Sequence, residues 1–121
     1  MTSSAEPVAD VTVIIVAYAS RKWLPRCLDA LSKQTVRPAR VIVVENGSPE
    51  RVRVRQADVP PWVEFIENET NLGFAGANNQ AARLADTRWI ALLNPDAFAE
   101  PNWLERQCCK RFARKNRAGV T

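Results

Sequence analysis

Polar side chains stand directly after three apolar segments of this chain. They are Tyr18 after residues 11–17, Glu45 and Asn46 after residues 41–44, and Asn94 and Asp96 after residues 89–93. In an open parallel sheet, ligands bind outside the carboxyl ends of the strands, at the point where the strand order reverses. If the three segments are parallel strands, their polar ends meet in one pocket. The pattern therefore indicates a nucleotide site.

Asp96 is the residue of this set that could bind a metal ion. Pro95 fixes the backbone before it, so the carboxylate is presented at the end of the strand. There it could hold Mg²⁺ or Mn²⁺ together with the phosphates of a substrate. An Asx turn or a helix cap is the commoner role of an aspartate at the start of a loop, so both interpretations stay open.

Glu45 and Tyr18 suit the organic part of a nucleotide. An acid after a Rossmann-type strand often accepts hydrogen bonds from a base or ribose, and residues 46–48 add a turn with backbone N–H groups. Tyr18 could stack on the base or border it. A surface acid beside a turn, and a half-buried tyrosine with a hydrated hydroxyl, explain the same residues without a ligand.

Residues 71–79 place two glycines, Gly73 and Gly76, before a predicted helix and end on Asn78 and Asn79. Backbone N–H groups at such a helix start can meet an anion. The chain lacks the GxGxxG pattern and the Walker Lys-Ser/Thr pair, so ordinary NAD and P-loop ATP sites lose their main support. A glycine-bearing helix entry without a ligand is the alternative.

The amino-acid composition excludes several kinds of catalysis. The 121 residues contain no histidine, which removes Ser-His and Cys-His dyads and His-ligated zinc within this chain. The cysteines Cys27, Cys108 and Cys109 form no CxxC pair, so we expect reduced thiols. Catalysis would have to use carboxylates and a hard cation.

The hydrophobic pattern predicts alternating strands and helices in one α/β domain. Residues 11–17 and 41–44 are continuous apolar runs, typical of strands buried on both faces of a parallel sheet. Between them Leu24, Cys27, Leu28 and Leu31 predict a helix, with Ser20 as its N-cap. Residues 1–10 are predicted to be a flexible tail.

The second half of the chain repeats the alternation. The pattern predicts a short helix or loop over residues 48–55, then a strand over 63–67 and a turn over 68–71. It predicts a helix over 77–85 and a strand over 89–93. A last helix is predicted to begin at Pro101, with Leu104, Cys108 and Phe112 on one face. A further strand begins near Val120. We therefore expect the front part of a larger, apparently truncated domain, with a sheet edge that needs cover.

Four segments in order, residues 13–18, 41–48, 71–79 and 89–96, closely resemble family 2 glycosyltransferases. The resemblance covers about residues 11–121, the nucleotide-binding front half of that family's domain, and its branch is rhamnosyltransferase-like, from bacterial polysaccharide assembly. It implies a GT-A fold, a Rossmann-like, open and mostly parallel sheet with flanking helices.

The resemblance also implies roles for the polar residues. Tyr18 and Glu45 would contact the base and ribose, Asp96 a divalent cation (Mg²⁺ or Mn²⁺) on the diphosphate, and Asn78 or Asn79 the edge of the donor. Asn46 and Asn94 complete the expected nucleotide-binding set. The donor would be a UDP- or dTDP-sugar, the acceptor a saccharide or a lipid-linked molecule, and the displacement inverting.

This chain departs from the family pattern at three places. Ala19 stands where the family usually has Asn or Asp, and Glu45 stands where it usually has Asp. The usual Asp-x-Asp is Asn94-Pro95-Asp96, which leaves one charged metal ligand. The family's catalytic base is an acid beyond Thr121, so a non-catalytic nucleotide-sugar-binding module is the alternative function.

The net charge of +4 and the pI near 9.3 raise the question of an anionic partner. Much of the excess lies late in the last predicted helix, where cations complement the helix dipole, so a solvated helix end is preferred over a docking surface. The four tryptophans are scattered and no nucleic-acid-binding signature is present. No signal peptide or spanning segment is evident, so we expect a cytoplasmic protein, with peripheral association at the inner face of the cell membrane as a secondary possibility.

Overall fold

A computed structural model describes residues 8–111 of the chain, with side chains to Gln107. The strands are β1 (Val8–Ala17), β2 (Arg37–Asn46), β3 (Glu64–Asn68) and β4 (Trp89–Leu92). The helices are α1 (Leu24–Ser32), α2 (Phe74–Ala82) and α3 (Trp103–Arg111), with short 3-10 helices at Glu50–Val52 and Gln56–Asp58.

The four strands form one parallel sheet in the order β3-β2-β1-β4. The chain winds from β1 to β2 to β3 in one direction and then crosses to the other side of β1 for β4. The strand order therefore reverses at β1, and the crevice beyond the carboxyl ends of β1 and β4 is where an open α/β sheet binds ligands. The predicted α/β class with a parallel sheet is confirmed.

The alternating side chains of the sheet form two apolar clusters, one on each face. Val13 and Ile15 pack in the cluster that contains the buried residues of α1 and Leu104 of α3, whereas Ile14 and Val16 pack with Ala77 and Ala81 of α2. Successive residues of β1 are buried on both sides, which explains its continuous apolar sequence. The sheet thus carries α1 and α3 on one face and α2 on the other.

Helix α1 buries the four residues predicted from its spacing, Leu24, Cys27, Leu28 and Leu31. The prediction of Ser20 as its N-cap was wrong, because the helix begins at Leu24 with Trp23 in the cap position. The hydroxyl of Ser20 donates to the carbonyl of Tyr18 at 2.8 Å instead. Its carbonyl accepts from the N–H groups of Trp23 and Leu24, both at 3.0 Å, so a turn precedes the helix.

Helix α2 begins at Phe74 and ends at Ala82, three residues earlier at each end than the pattern predicted. Gly73, in the N-cap position, has a φ of 82°, a conformation that glycine adopts without strain. This residue turns the chain directly from the loop into the helix. The run of alanines that suggested the helix therefore lies in its middle and C-terminal part.

Other boundaries of the secondary-structure elements also differ from the predicted ones. β1 begins at Val8, inside the predicted tail, because Val8 and Ala9 pair with Arg37 and Pro38 of β2. The uncertain segment 48–55 contains the first short 3-10 helix and an extended stretch in which Val54 is buried. Residues 1–7, Phe112 and Val120, and the side chain of Cys108, lie outside the described part.

No helix within residues 8–111 is long and apolar enough to cross a membrane.

Candidate functional site

The chain turns at the end of β4, and this turn presents Asp96. The N–H of Ala97 donates to the carbonyl of Asn94 at 3.0 Å, which places Pro95 and Asp96 in the two middle positions. Proline favours the first of these positions because its φ is already fixed there. Asn94 and Asp96 are both exposed.

Two contacts hold this turn against the rest of the domain. The N–H of Leu93 donates to the carbonyl of Ile14 at 3.0 Å, which keeps the end of β4 beside β1. From below, the buried thiol of Cys27 donates to the carbonyl of Asn94 at 3.6 Å. Burial, with a smaller contribution from the charge of Asp96, raises the pKa of Cys27 from 9.0 to about 12. Cys27 is therefore a neutral support of the turn.

The end of β1 presents the second exposed group, the side chain of Tyr18, which is 48% exposed. The next residue, Ala19, has a φ of 53°, and among the described residues it is the one non-glycine position with a positive φ. Its N–H donates to the hydroxyl oxygen of Ser48 at 2.8 Å. A strained backbone at the mouth of the expected pocket is a common feature of functional sites.

Glu45 lies at the end of β2 and is 0% exposed. One carboxylate oxygen accepts from the N–H of Ser48 at 2.7 Å and the other from the N–H of Val54 at 2.8 Å. In this arrangement the carboxylate closes the loop after β2 and does not face the open edge. A contact between Glu45 and a base or ribose stays a prediction.

Asn46 is 2% exposed and joins the end of β2 to the loop before α2. Its amide nitrogen donates to the side-chain oxygen of Asn71 at 3.1 Å and to the carbonyl of Gly73 at 3.3 Å. Its amide oxygen accepts from the N–H of Leu72 at 3.0 Å. These bonds fix the loop that leads into α2.

The two asparagines on α2 differ in their surroundings. Asn78 is partly buried and donates to the carbonyl of Phe74 at 3.0 Å, whereas Asn79 is exposed. On the same helix Gln80 exchanges two hydrogen bonds of 2.9 Å with Asn68 at the end of β3. Helix α2 is thereby tied to the carboxyl edge of the sheet.

The structure therefore divides the predicted site residues by their exposure. Tyr18, Asn79, Asn94 and Asp96 are exposed, Asn78 is partly buried, and Glu45 and Asn46 are buried and bonded to backbone groups. The sequence pattern suggested a helix cap at Ser48 but did not predict the hydrogen bonds that join Ser48 to Glu45 and Ala19. The position of Ser48 three residues after Glu45 was the available signal, because a carboxylate at that spacing can accept the N–H of the third residue along.

An aromatic and cationic cluster near the Asp96 turn was also missed. Phe98 and Trp23 have ring centroids 6.3 Å apart, Arg26 lies 4.5 Å from the centroid of Phe98, and Lys22 lies 4.9 Å from that of Trp23. Both rings remain exposed by about two-fifths, at 41% and 38%. The position of Phe98 two residues after Asp96 was the only sequence signal.

The oxygen chemistry of the edge fits a hard divalent cation held in part by a substrate. Within the described residues no three or more His, Cys, Asp or Glu side chains form a metal-binding group. Asp96 is exposed, and Mg²⁺ is commonly bound by one or two carboxylates completed by substrate phosphates and water. The protein part of such a site is accordingly small.

A cavity of about 420 Å³ lies away from these residues, between the end of α1, the start of β2 and Trp62. This is the amino edge of the sheet, opposite to the strand-order reversal. Arg40 lines the cavity, and its guanidinium is paired with Glu64 and Asp86. The cavity is thus separate from the polar residues that the strand ends collect.

The parallel order, with its reversal at β1 and helices on both faces, defines a doubly wound α/β domain of the GT-A type. The chain belongs to glycosyl transferase family 2, whose family model matches residues 12–120. The predicted membership of this glycosyltransferase family and the predicted fold are confirmed.

Relatives and solved structures agree with this assignment. An uncharacterised glycosyltransferase of Haemophilus influenzae is 34% identical over 79% of this chain and 32% of its own length. The succinoglycan biosynthesis protein ExoO of Rhizobium meliloti is 32% identical over 84% of this chain and 29% of its own. The structure of S. aureus TarS 1-349 in complex with UDP has a TM-score of 0.65 at 21% identity, covering 85% of this chain and 32% of that one.

The chain spans about a third or less of the length of these relatives. The rhamnosyltransferase-like branch stays a prediction.

Proposed function

We propose that this chain carries the donor-binding part of a glycosyltransferase that transfers a sugar from a UDP- or dTDP-sugar to a saccharide or lipid-linked acceptor. The observation that carries the proposal is the pair of exposed residues, Tyr18 and Asp96, which follow the carboxyl ends of the two strands between which the sheet order reverses. A structure of S. aureus TarS with the same fold is in complex with UDP, which supports a nucleotide as the ligand of this chain.

Each exposed residue has a part in binding the donor. The ring of Tyr18 borders or stacks on the base. The side-chain amide of Asn94 can donate to a phosphate oxygen, and that of Asn79 to the sugar end of the donor. Asp96 would hold Mg²⁺ or Mn²⁺ together with the diphosphate, and such a cation would supply stabilisation of the negative charge on the departing nucleoside diphosphate.

Transfer itself needs a carboxylate that takes the proton of the acceptor hydroxyl as it attacks the anomeric carbon in line. We place this base beyond Thr121, so the described residues bind and orient the donor. The same proposal includes a cytoplasmic location for the protein, with peripheral association at the inner face of the cell membrane, and the rhamnosyltransferase-like branch of polysaccharide assembly.

A second candidate function is a non-catalytic nucleotide-sugar-binding module. The observation that favours it is the single charged residue of the Asn94-Pro95-Asp96 motif, which predicts looser metal binding than two carboxylates. Transfer of a sugar to an acceptor by a protein that contains both this chain and the catalytic base would exclude this candidate.

The test is a calorimetric titration of the chain with UDP and with dTDP, each with and without Mn²⁺. We expect binding that requires Mn²⁺ and is lost in Asp96→Ala. Asp29→Ala is the matched control, because Asp29 is an exposed aspartate on α1 that pairs with Lys33. Binding that is independent of Mn²⁺ and of Asp96 would contradict the metal site, and no binding by the folded chain would contradict donor binding.

A further inference from the structure

Hydrogen bonds connect the end of β2 to the end of β1 through three residues. A carboxylate oxygen of Glu45 accepts from the N–H of Ser48 at 2.7 Å, and the hydroxyl oxygen of Ser48 accepts from the N–H of Ala19 at 2.8 Å. Glu45 is 0% exposed and Ser48 is 4% exposed. This connection, which we call the Glu45–Ser48–Ala19 relay, therefore lies beneath the open edge of the site.

The relay is held in place at its β2 end by two further contacts. The second carboxylate oxygen of Glu45 accepts from the N–H of Val54 at 2.8 Å, so both oxygens are bonded to one loop. Gly47, between Glu45 and Ser48, has a φ of 74° and lies against the backbone of Thr70 and Asn71. Ser48 can therefore move little relative to β2.

The β1 end of the relay is the backbone of Ala19, which would not hold its conformation by itself. The left-handed conformation is unfavourable for an L-residue with a Cβ, and Ala19 adopts it with a φ of 53°. Such strain persists only where neighbouring groups over-determine the conformation. The hydroxyl of Ser48 is the neighbouring group that binds the N–H of Ala19.

Tyr18 is the residue whose position depends on this backbone. It precedes Ala19, and its carbonyl accepts from the hydroxyl of Ser20 at 2.8 Å, so the turn at residues 18–20 is held from both sides. Relaxation of Ala19 to a negative φ would change the direction of the chain directly after Tyr18. Tyr18 is 48% exposed, so packing covers only part of its side chain.

We infer that Glu45 and Ser48 are positioning residues for Tyr18, holding it at the nucleotide edge by fixing the left-handed backbone of Ala19. The inference rests on the proposed donor site and gives Glu45 a task other than contact with the nucleotide. Since both of its oxygens are engaged below the surface, the exposed side chains at the edge make the contacts with the donor.

The inference can be tested on the ligand-free protein because Tyr18 is the only tyrosine of the chain. Incorporated 3-fluorotyrosine gives one ¹⁹F resonance that reports on this residue. In Ser48→Ala we expect that resonance to shift or split, and the affinity for UDP with Mn²⁺ to fall about 2–10-fold, the effect of one net hydrogen bond. The N–H of Ala19 can then bond to water, so we expect the variant to fold.

A rescue variant separates positioning from a general loss of stability. Asparagine tolerates the left-handed region better than alanine, so Ala19→Asn added to Ser48→Ala should return the ¹⁹F resonance towards its original position. The gain in UDP affinity from Ala19→Asn should be larger in the Ser48→Ala variant than in the wild-type chain. Ser32→Ala is the control, since this serine bonds to a carbonyl, that of Asp29, at the distant end of α1.

An unchanged ¹⁹F resonance in Ser48→Ala, or an equal shift in Ser32→Ala, would overturn the inference. Glu45→Gln places an amide against backbone N–H groups and should shift the resonance in the same way if this variant folds. If Glu45→Gln does not fold, Ser48→Ala alone decides the question. If the wild-type chain binds neither UDP nor dTDP, the proposed function fails, and the ¹⁹F spectrum still decides whether the relay positions Tyr18.

Discussion

Gly47 lies so close to Thr70 that a Cβ atom added to the glycine would stand 2.3 Å from the carbonyl carbon of Thr70. The same Cβ would lie 2.5 Å from the backbone nitrogen of Asn71. The loop after β2 and the loop before α2 are thus packed backbone to backbone beside the buried ends of the strands. This contact is possible only for a residue without a side chain.

We expect Gly47→Ala to destabilise the fold by more than about 3 kcal/mol, since it adds a backbone clash to the cost of a positive φ. Gly73→Ala is the matched variant, because Gly73 has a φ of 82° and no atom within 4 Å of its added Cβ. Its cost should be about 1–3 kcal/mol, from the strain of its φ of 82° and ψ of 160° alone. Urea unfolding of both variants measures the difference, and equal losses would contradict the close contact.

Ala19→Asn should stabilise the chain. The left-handed conformation of Ala19 is unfavourable for alanine and better tolerated by asparagine, so the free energy of unfolding should rise by about 0.5 kcal/mol. Ala75→Asn is the comparison, because this alanine is also exposed but lies in α2, where asparagine is the poorer residue. Thermal unfolding should move the two variants in opposite directions, and a lower stability of Ala19→Asn would contradict the strain.

The ion pair between Arg40 and Glu64 should make stability depend on pH in the acid range. Two hydrogen bonds of 2.8 and 2.6 Å from Arg40 lower the pKa of Glu64 below its ordinary 4.5, although the charge of the nearby Asp86 opposes the shift. Because the folded-state pKa is the lower one, the contribution is fully present above pH 4.5 and is lost as the pH falls through the lowered value.

Glu64→Gln should therefore cost more stability at pH 7 than at pH 3. The side chain of Glu64 is 46% exposed, and solvent screening limits the difference to about 0.5 kcal/mol. Urea unfolding of wild type and variant at both pH values measures it, with Glu69→Gln as the control, an exposed glutamate just beyond the other end of β3. A cost that stays constant between the two pH values would show that the charge is not responsible.

Cys27 should resist alkylation in the folded protein. Its pKa of about 12, against 9.0 ordinarily, lowers the thiolate fraction at pH 8 by about a thousandfold, and only the thiolate reacts. The test uses iodoacetamide on a chain with Cys108→Ser and Cys109→Ser, folded and in urea. Rapid labelling of the folded chain would contradict the burial of this thiol beneath Asn94.

The same shift has a consequence for stability in alkali. The folded state binds the proton of Cys27 more tightly than the unfolded state, so the protonated thiol contributes to the stability of the fold. This contribution is fully present below pH 9.0 and is lost as the pH rises towards about 12. Cys27→Ala should remove this part of the alkaline loss. The comparison with wild type isolates it from the other groups that titrate there.

The strands and the buried face of α1 could be predicted because their patterns depend on local sequence. Continuous β-branched runs such as residues 11–17 indicate strands buried on both faces, and the spacing of Leu24, Cys27, Leu28 and Leu31 indicates one apolar face. The ends of the strands and helices were less predictable. The start of β1 at Val8 depends on its partner Arg37 in β2, and the start of α2 depends on the conformation of Gly73.

By itself, the sequence determined the α/β class, the four segments that identify the family, and the limits that the absence of histidine places on catalysis. Only the tertiary structure decided which polar residues face outwards. Tyr18 and Asp96 are exposed where the sheet order reverses, whereas Glu45 is buried with both oxygens bonded to backbone N–H groups. The reason is physical. A carboxylate at a strand end can accept hydrogen bonds either from a ligand or from the backbone of a folded loop, and the positions of distant parts of the chain decide which of these donors it meets.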